Sequence, residues 1–88
     1  MEVALRRFYF HLSAGTEIAL DEEGTELPDL SAAKGEAVLA ARELLADAIK
    51  SGAPDVPEIL VIADEAGRPL ANVPLATVLP RSFRLPLP

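Results

Sequence analysis

Few residues in this 88-residue sequence are of a type that does chemistry. His11 is the only histidine. It can in principle serve as a general base or a metal ligand, but a base needs an oriented nucleophile and a partner. The sequence marks neither, and at two-residue spacing from Tyr9 it reads as a strand residue on an outer sheet face. Asp21, Glu22, Glu23, Glu26 and Asp29 form an acidic cluster. Crowded carboxylates can hold Ca²⁺ or Mg²⁺. These lack the alternating ligands and closing bidentate glutamate of a calcium loop. They read as a solvated turn running into a helix cap, where acidic side chains are favoured. Of all the surface, this stretch is the first expected to meet a partner. Arg6, Arg7, Arg81 and Arg84 would make one basic patch if the termini met, and otherwise read as chain ends kept soluble. The glycines at 15, 24, 35, 52 and 67 are scattered, with no phosphate-cradling loop. The serines lack a nucleophile-elbow context. The sequence therefore marks no catalytic residue, no cofactor-binding residue, no metal ligand and no cofactor.

The elements that would position these groups follow from periodicity. From Val3 to Leu12, Phe8, Phe10 and Leu12 alternate with Tyr9 and His11, the period of a strand. A turn at Ser13-Ala14-Gly15 leads to a second strand over 17–20, which pairs back as a hairpin. Asp21-Glu22-Glu23-Gly24 is a polar turn, where Gly24 supplies a positive φ if one is needed. Leu27-Pro28 stays extended, because the residue before proline avoids the helical region. Asp29 is an N-cap. Leu30, Ala33, Ala37, Ala41, Leu44, Leu45, Ala48 and Ile49 then recur at helical spacing, with Glu36, Glu43, Asp47 and Lys50 on the other side. Gly52 ends the helix as a C′ residue. Strands over 58–63 and 70–73 follow, joined by a hairpin loop at Asp64-Glu65-Ala66-Gly67. Pro69 and Pro74 bracket the last strand, as prolines do at sheet edges. The predicted fold is α+β, ββαββ, an antiparallel sheet with one helix packed on one face, as a single domain over 1–79. Residues 80–88 are a proline-rich tail, either loose or laid on a partner.

Several of these stretches together resemble a known family. They are Arg7-Phe8-Tyr9-Phe10-His11-Leu12, the run from Asp21-Glu22-Glu23-Gly24 to Leu27-Pro28-Asp29-Leu30, Ala32-Ala33, Ala40-Ala41-Arg42-Glu43-Leu44-Leu45-Ala46, and Asp64-Glu65-Ala66-Gly67-Arg68. They are similar to a group of short bacterial proteins classed only as a domain of unknown function. The resemblance covers about residues 6 to 75, and Asp-Glu-Glu-Gly to Leu-Pro-Asp-Leu is its most specific part. It implies the fold above and carries no activity. The departures are Met1 to Leu5, the tail, and Leu39 on the polar side of the helix.

Composition narrows the function class. There are 8 basic against 14 acidic residues, a net charge of −6. Such a surface disfavours nucleic-acid backbones and anionic membranes. No cysteine is present, which removes disulfides and zinc–thiolate sites and fits a reducing compartment. Arg6 and Arg7 interrupt any signal-peptide core, and no apolar run reaches a membrane span, so the expected address is the cytoplasm. Half of the residues are apolar. Ile59 and Val61 oppose Leu60 and Ile62 across their strand, and Val3, Leu5 and Tyr9 oppose Phe8 and Phe10. One helix covers one face of a sheet, so the second face needs cover from another copy or from the tail. The expected function is a non-enzymatic protein-interaction module that self-associates as a homodimer. Alternatives are an antitoxin-like or regulatory domain binding an unidentified protein partner, and a small enzyme using His11 with the acidic turn.

Overall fold

In the computed structural model, which describes residues 4–80, one helix lies on an antiparallel sheet. Strand β1 (Arg6–Ala14) is the long element around which the others are placed. Its C-terminal part pairs with β2 (Glu17–Ala19), in the register Leu12↔Ala19 to Ala14↔Glu17. Its N-terminal part pairs on that same side with β3 (Thr25–Leu27), from Arg6↔Leu27 to Phe8↔Thr25. The other edge of β1 pairs with β4 (Ile59–Ala63), and β4 pairs with β5 (Pro69–Pro74). The path across the sheet is β2-β1-β4-β5, with β3 continuing the β2 edge.

The α+β class, the antiparallel sheet and the single helix are as the periodicity predicts, and β3 is an addition to the ββαββ pattern. A three-residue strand is too short to show a period. It forms because β1 outruns β2 and would otherwise leave the ladder groups of Arg6 to Phe8 unpaired. Strand ends shift by one to three residues, most visibly in β1, which begins at Arg6 rather than Val3 and runs on to Ala14. Met1 to Val3 and residues 81–88 lie outside the described part, and so does all of the predicted tail except Pro80.

Helix α1 (Leu30–Ser51) begins and ends where its caps dictate. The Asp29 carboxylate accepts the Ala32 N–H at 2.8 Å. At the other end Gly52 has φ 68°, its N–H donates to Ile49 O, and the Ala53 N–H donates to Ala48 O. That pair of bonds is the Schellman arrangement, and it needs the left-handed residue glycine supplies. Ala33, Ala37 and Ala41 are fully buried, four residues apart, and their small side chains bring the helix backbone close to the sheet. Beneath them sit Phe8, Leu60, Ile62 and Val73, with Leu75 from a 3₁₀ turn (Leu75–Val78) closing one end. Each large side chain buried here contributes about 1.5–3 kcal/mol of transfer free energy.

The predicted apolar stripe overshoots at one position, because Ile49 is 71% exposed. At roughly 100° per residue, Ile49 lies about 120° round the helix from Ala37 and leaves the buried face. Leu39, about 200° round, is exposed on the polar side as its position predicts. Among the described residues no helix is long and apolar enough to cross a membrane.

Candidate functional site

The sheet face away from α1 gathers the groups the sequence singles out. Alternation along β1 sends Phe8, Phe10 and Leu12 to the helix and Tyr9, His11 and Ser13 to the outer face. Register then sets Ala63, Val61 and Ile59 of β4 beside those three, with Ile18 of β2 next to Ser13 and Asn72 of β5 next to Val61. The Tyr9 and His11 rings stack, with centroids 6.3 Å apart and planes 19° from parallel.

The polar centre of this face is the turn that carries the chain from β2 to β3. Between the stretches of β1 held by β3 and by β2, the Phe10 N–H points at the gap. The Asp21 carboxylate fills it. One of its oxygens, Oδ2, accepts the Phe10 N–H at 3.1 Å. The other, Oδ1, accepts the N–H groups of Glu23 (3.2 Å) and Gly24 (3.1 Å). In return the Asp21 N–H donates to His11 Nδ1 at 3.0 Å. That bond uses the lone pair of Nδ1 and leaves the ring proton of neutral His11 on Nε2. Partial burial pushes the Asp21 carboxyl up, but the N–H groups of Gly24, Phe10 and Glu23 outweigh it. Asp21 is therefore held below the usual aspartate value. Gly24 is required twice over. Its φ is +70°, and a Cβ there would lie 2.8 Å from Arg7 Cγ and 2.9 Å from Tyr9 Cε2.

Beside this turn runs an open, mostly apolar groove of about 510 Å³, lined by Ile18, Leu20, Val61 and Pro69 with His11 and Ser13. Ile18 is 64% exposed and Leu20 68%. The sequence predicts Val61 and Ile59 for this face. That Ile18 and Leu20 join them depends on the β1–β2 register, which two short strands do not specify by pattern alone.

The acidic cluster does not converge. Asp21 serves the turn, Asp29 caps the helix, and Glu26 accepts a hydrogen bond from Arg7 Nη2 at 2.9 Å while Arg7 Nη1 donates to Glu23 O. Among the described residues no group of three or more His, Asp or Glu side chains is placed to share a cation. Of the four arginines considered for a patch between the termini, Arg6 and Arg7 lie among the described residues. Arg6, Arg7 and Arg68 surround a small hollow with Asp64 and Glu65, while Arg81 and Arg84 lie outside the described residues. Arg68 reaches it because β4 runs antiparallel to β1, which returns the β4–β5 turn to the start of β1. Asp64 ties that turn by accepting the Ala66 and Arg68 N–H groups and the Arg68 Nε–H. The Arg68 N–H is the main cause holding the Asp64 carboxyl low. Arg6 lies 5.8 Å from the centre of the Phe8 ring.

A family model described as a domain of unknown function, DUF6894, matches residues 7–76. The match runs from β1 into the 3₁₀ turn and takes in every residue of the outer-face groove. Comparison with curated proteins and with solved structures gave no match.

Proposed function

The chain belongs to the DUF6894 family of domains of unknown function, and from its outer sheet face we propose that it is a non-enzymatic interaction module that pairs with a second copy of itself. One observation carries the reading. Ile18 and Leu20 stand largely exposed beside Val61 and Pro69 on a sheet face that no element among the described residues covers. Isolated exposed leucines are ordinary, whereas a contiguous apolar groove on a sheet face is a feature of interfaces.

The edges of the sheet favour the face as the contact. The β2 and β3 edge is two three-residue strands interrupted by the Asp21 turn, and β5 begins and ends in proline. Short strands and prolines blunt edge pairing. The face is large enough. Four strands about 4.8 Å apart and a β1 about 30 Å long give a plan area on the order of 500 Å² per copy. Two such faces bury on the order of 1,000 Å², the lower bound for a specific interface. A two-fold pairing places the same patch on both sides, with the sheets about 10 Å apart.

The non-enzymatic part rests on how the two reactive groups are used. His11 Nδ1 is an acceptor for backbone, and the Asp21 carboxylate receives three backbone N–H groups. Both are committed to holding the β2–β3 junction. The lack of cysteine accords with a reducing compartment, and we place the protein in the cytoplasm.

Multi-angle light scattering on the wild type and on Leu20→Glu tests the reading. The wild type is expected to give the mass of a dimer and Leu20→Glu that of a monomer, with the circular dichroism unchanged. A wild type that stays monomeric at the highest soluble concentration removes the proposal.

A further inference from the structure

A second apolar hollow lies at the point where the described chain ends. The 3₁₀ turn is pinned there: the Leu75 N–H donates to Glu58 O at 2.9 Å, and the Leu75 side chain is 2% exposed. Beyond the turn, Leu79 forms one wall of an open cavity of about 370 Å³, whose other walls are Leu45 of α1, Val56 and Pro57 of the α1–β4 connection, and Leu75. Glu58 lies on its rim, and Asp55, exposed, precedes Val56 in the chain.

The sequence that follows has the complementary chemistry. Residues 81–88 read Arg-Ser-Phe-Arg-Leu-Pro-Leu-Pro, with Phe83, Leu85 and Leu87 at alternate positions and no acidic residue. Two of the chain's 8 basic residues, Arg81 and Arg84, fall within them although the net charge is −6. We propose that residues 81–88 dock into this hollow of their own chain, with Phe83 entering between Leu45, Val56 and Leu79 and the two arginines meeting Asp55 and Glu58.

Reach, charge and entropy all favour this occupant. Phe83 is four residues past Leu79, so its Cα lies within about 14 Å of a residue that lines the cavity. Tethering makes the contact intramolecular, at an effective concentration on the order of millimolar. The two prolines reduce the conformational freedom lost on docking. The segment is then spent on the edge of the helix layer, and the outer sheet face is left for the second copy.

Methyl-labelled full-length protein tests the docking by nuclear Overhauser effects from the Phe83 ring, identified by their loss in Phe83→Ala. Contacts to the methyl groups of Leu45, Val56 and Leu79 are expected at the lowest workable concentration, independent of dilution. Phe83→Ala and Arg84→Glu should shift those methyl signals and leave Ile18 and Leu20 unmoved. Three results overturn the proposal. They are contacts from Phe83 to Ile18, Leu20 or Val61; contacts that vanish on dilution, which give the segment to another copy; and no contacts, with Leu45 and Val56 signals unchanged in both variants.

Discussion

Replacing Asp21 by alanine removes one side chain and strands three backbone N–H groups. The Phe10 N–H, part-buried between β2 and β3, loses its acceptor outright. Stranding such a donor costs about 1–3 kcal/mol. The Glu23 and Gly24 N–H groups sit in a more open turn and can turn to water, so their lost bonds add about 0.5 kcal/mol each, the lower end of the usual range. The sum is roughly 2–4 kcal/mol, a large part of the 5–15 kcal/mol that holds a small domain folded. Asp21→Asn separates the terms. Its amide oxygen can keep the Glu23 and Gly24 bonds, while its NH₂ group faces the Phe10 N–H donor to donor, so it should lose about 1–3 kcal/mol, the Phe10 part of that sum.

The same side chain makes the effect depend on pH. The folded carboxyl titrates below the unfolded value of about 3.9, so its contribution is complete above that value and is lost as pH falls through the lower folded one. Urea unfolding followed by circular dichroism should therefore show a constant gap between wild type and Asp21→Asn from neutral pH down to about pH 5. The gap should then narrow as acid protonates the wild-type carboxylate. A loss below about 0.5 kcal/mol for Asp21→Ala, or a gap that does not narrow in acid, would refute the assignment of Asp21 as the group that closes the β2–β3 junction.

Further substitutions test other parts of the account by the same unfolding assay. Gly24→Ala meets both a positive φ and contacts under 3.0 Å with Arg7 and Tyr9, so a loss on the order of 1–3 kcal/mol is expected. Asp29→Ala removes the bond to the Ala32 N–H and should cost about 1 kcal/mol, with the loss recovered largely in Asp29→Ser. Ala37→Leu forces a branched side chain between α1 and the sheet where no surface is free, and should cost about 1–3 kcal/mol despite the gain in apolar area.

The helix was legible because its signals agree. Asp29, the alanine spacing and Gly52 each fix a different part of it by a local rule, and the structure places all three where those rules put them. Strand β1 was legible for the same reason, since Phe8, Phe10 and Leu12 share one period. What escaped is non-local. The pairing of Thr25 to Leu27 with the start of β1 depends on how far β1 outruns β2, and nothing within those three residues encodes that length. His11 was readable as an outer-face strand residue, but its bond to the Asp21 N–H joins two positions ten apart through a turn whose path the acidic run does not reveal. The acidic cluster was legible as a turn and a cap. Which carboxylate takes which task follows only from the register, and so does the arrival of Ile18 and Leu20 beside Val61.

The central claim is that a second copy covers the outer sheet face, and solvent paramagnetic relaxation at methyl groups over a dilution series tests it most directly. Ile18, Leu20 and Val61 are expected to become shielded from a soluble probe as concentration rises, while Leu39 and Ile49, exposed on the helix, stay fully accessible throughout. Equal accessibility of Ile18, Leu20 and Val61 at every concentration would contradict the account.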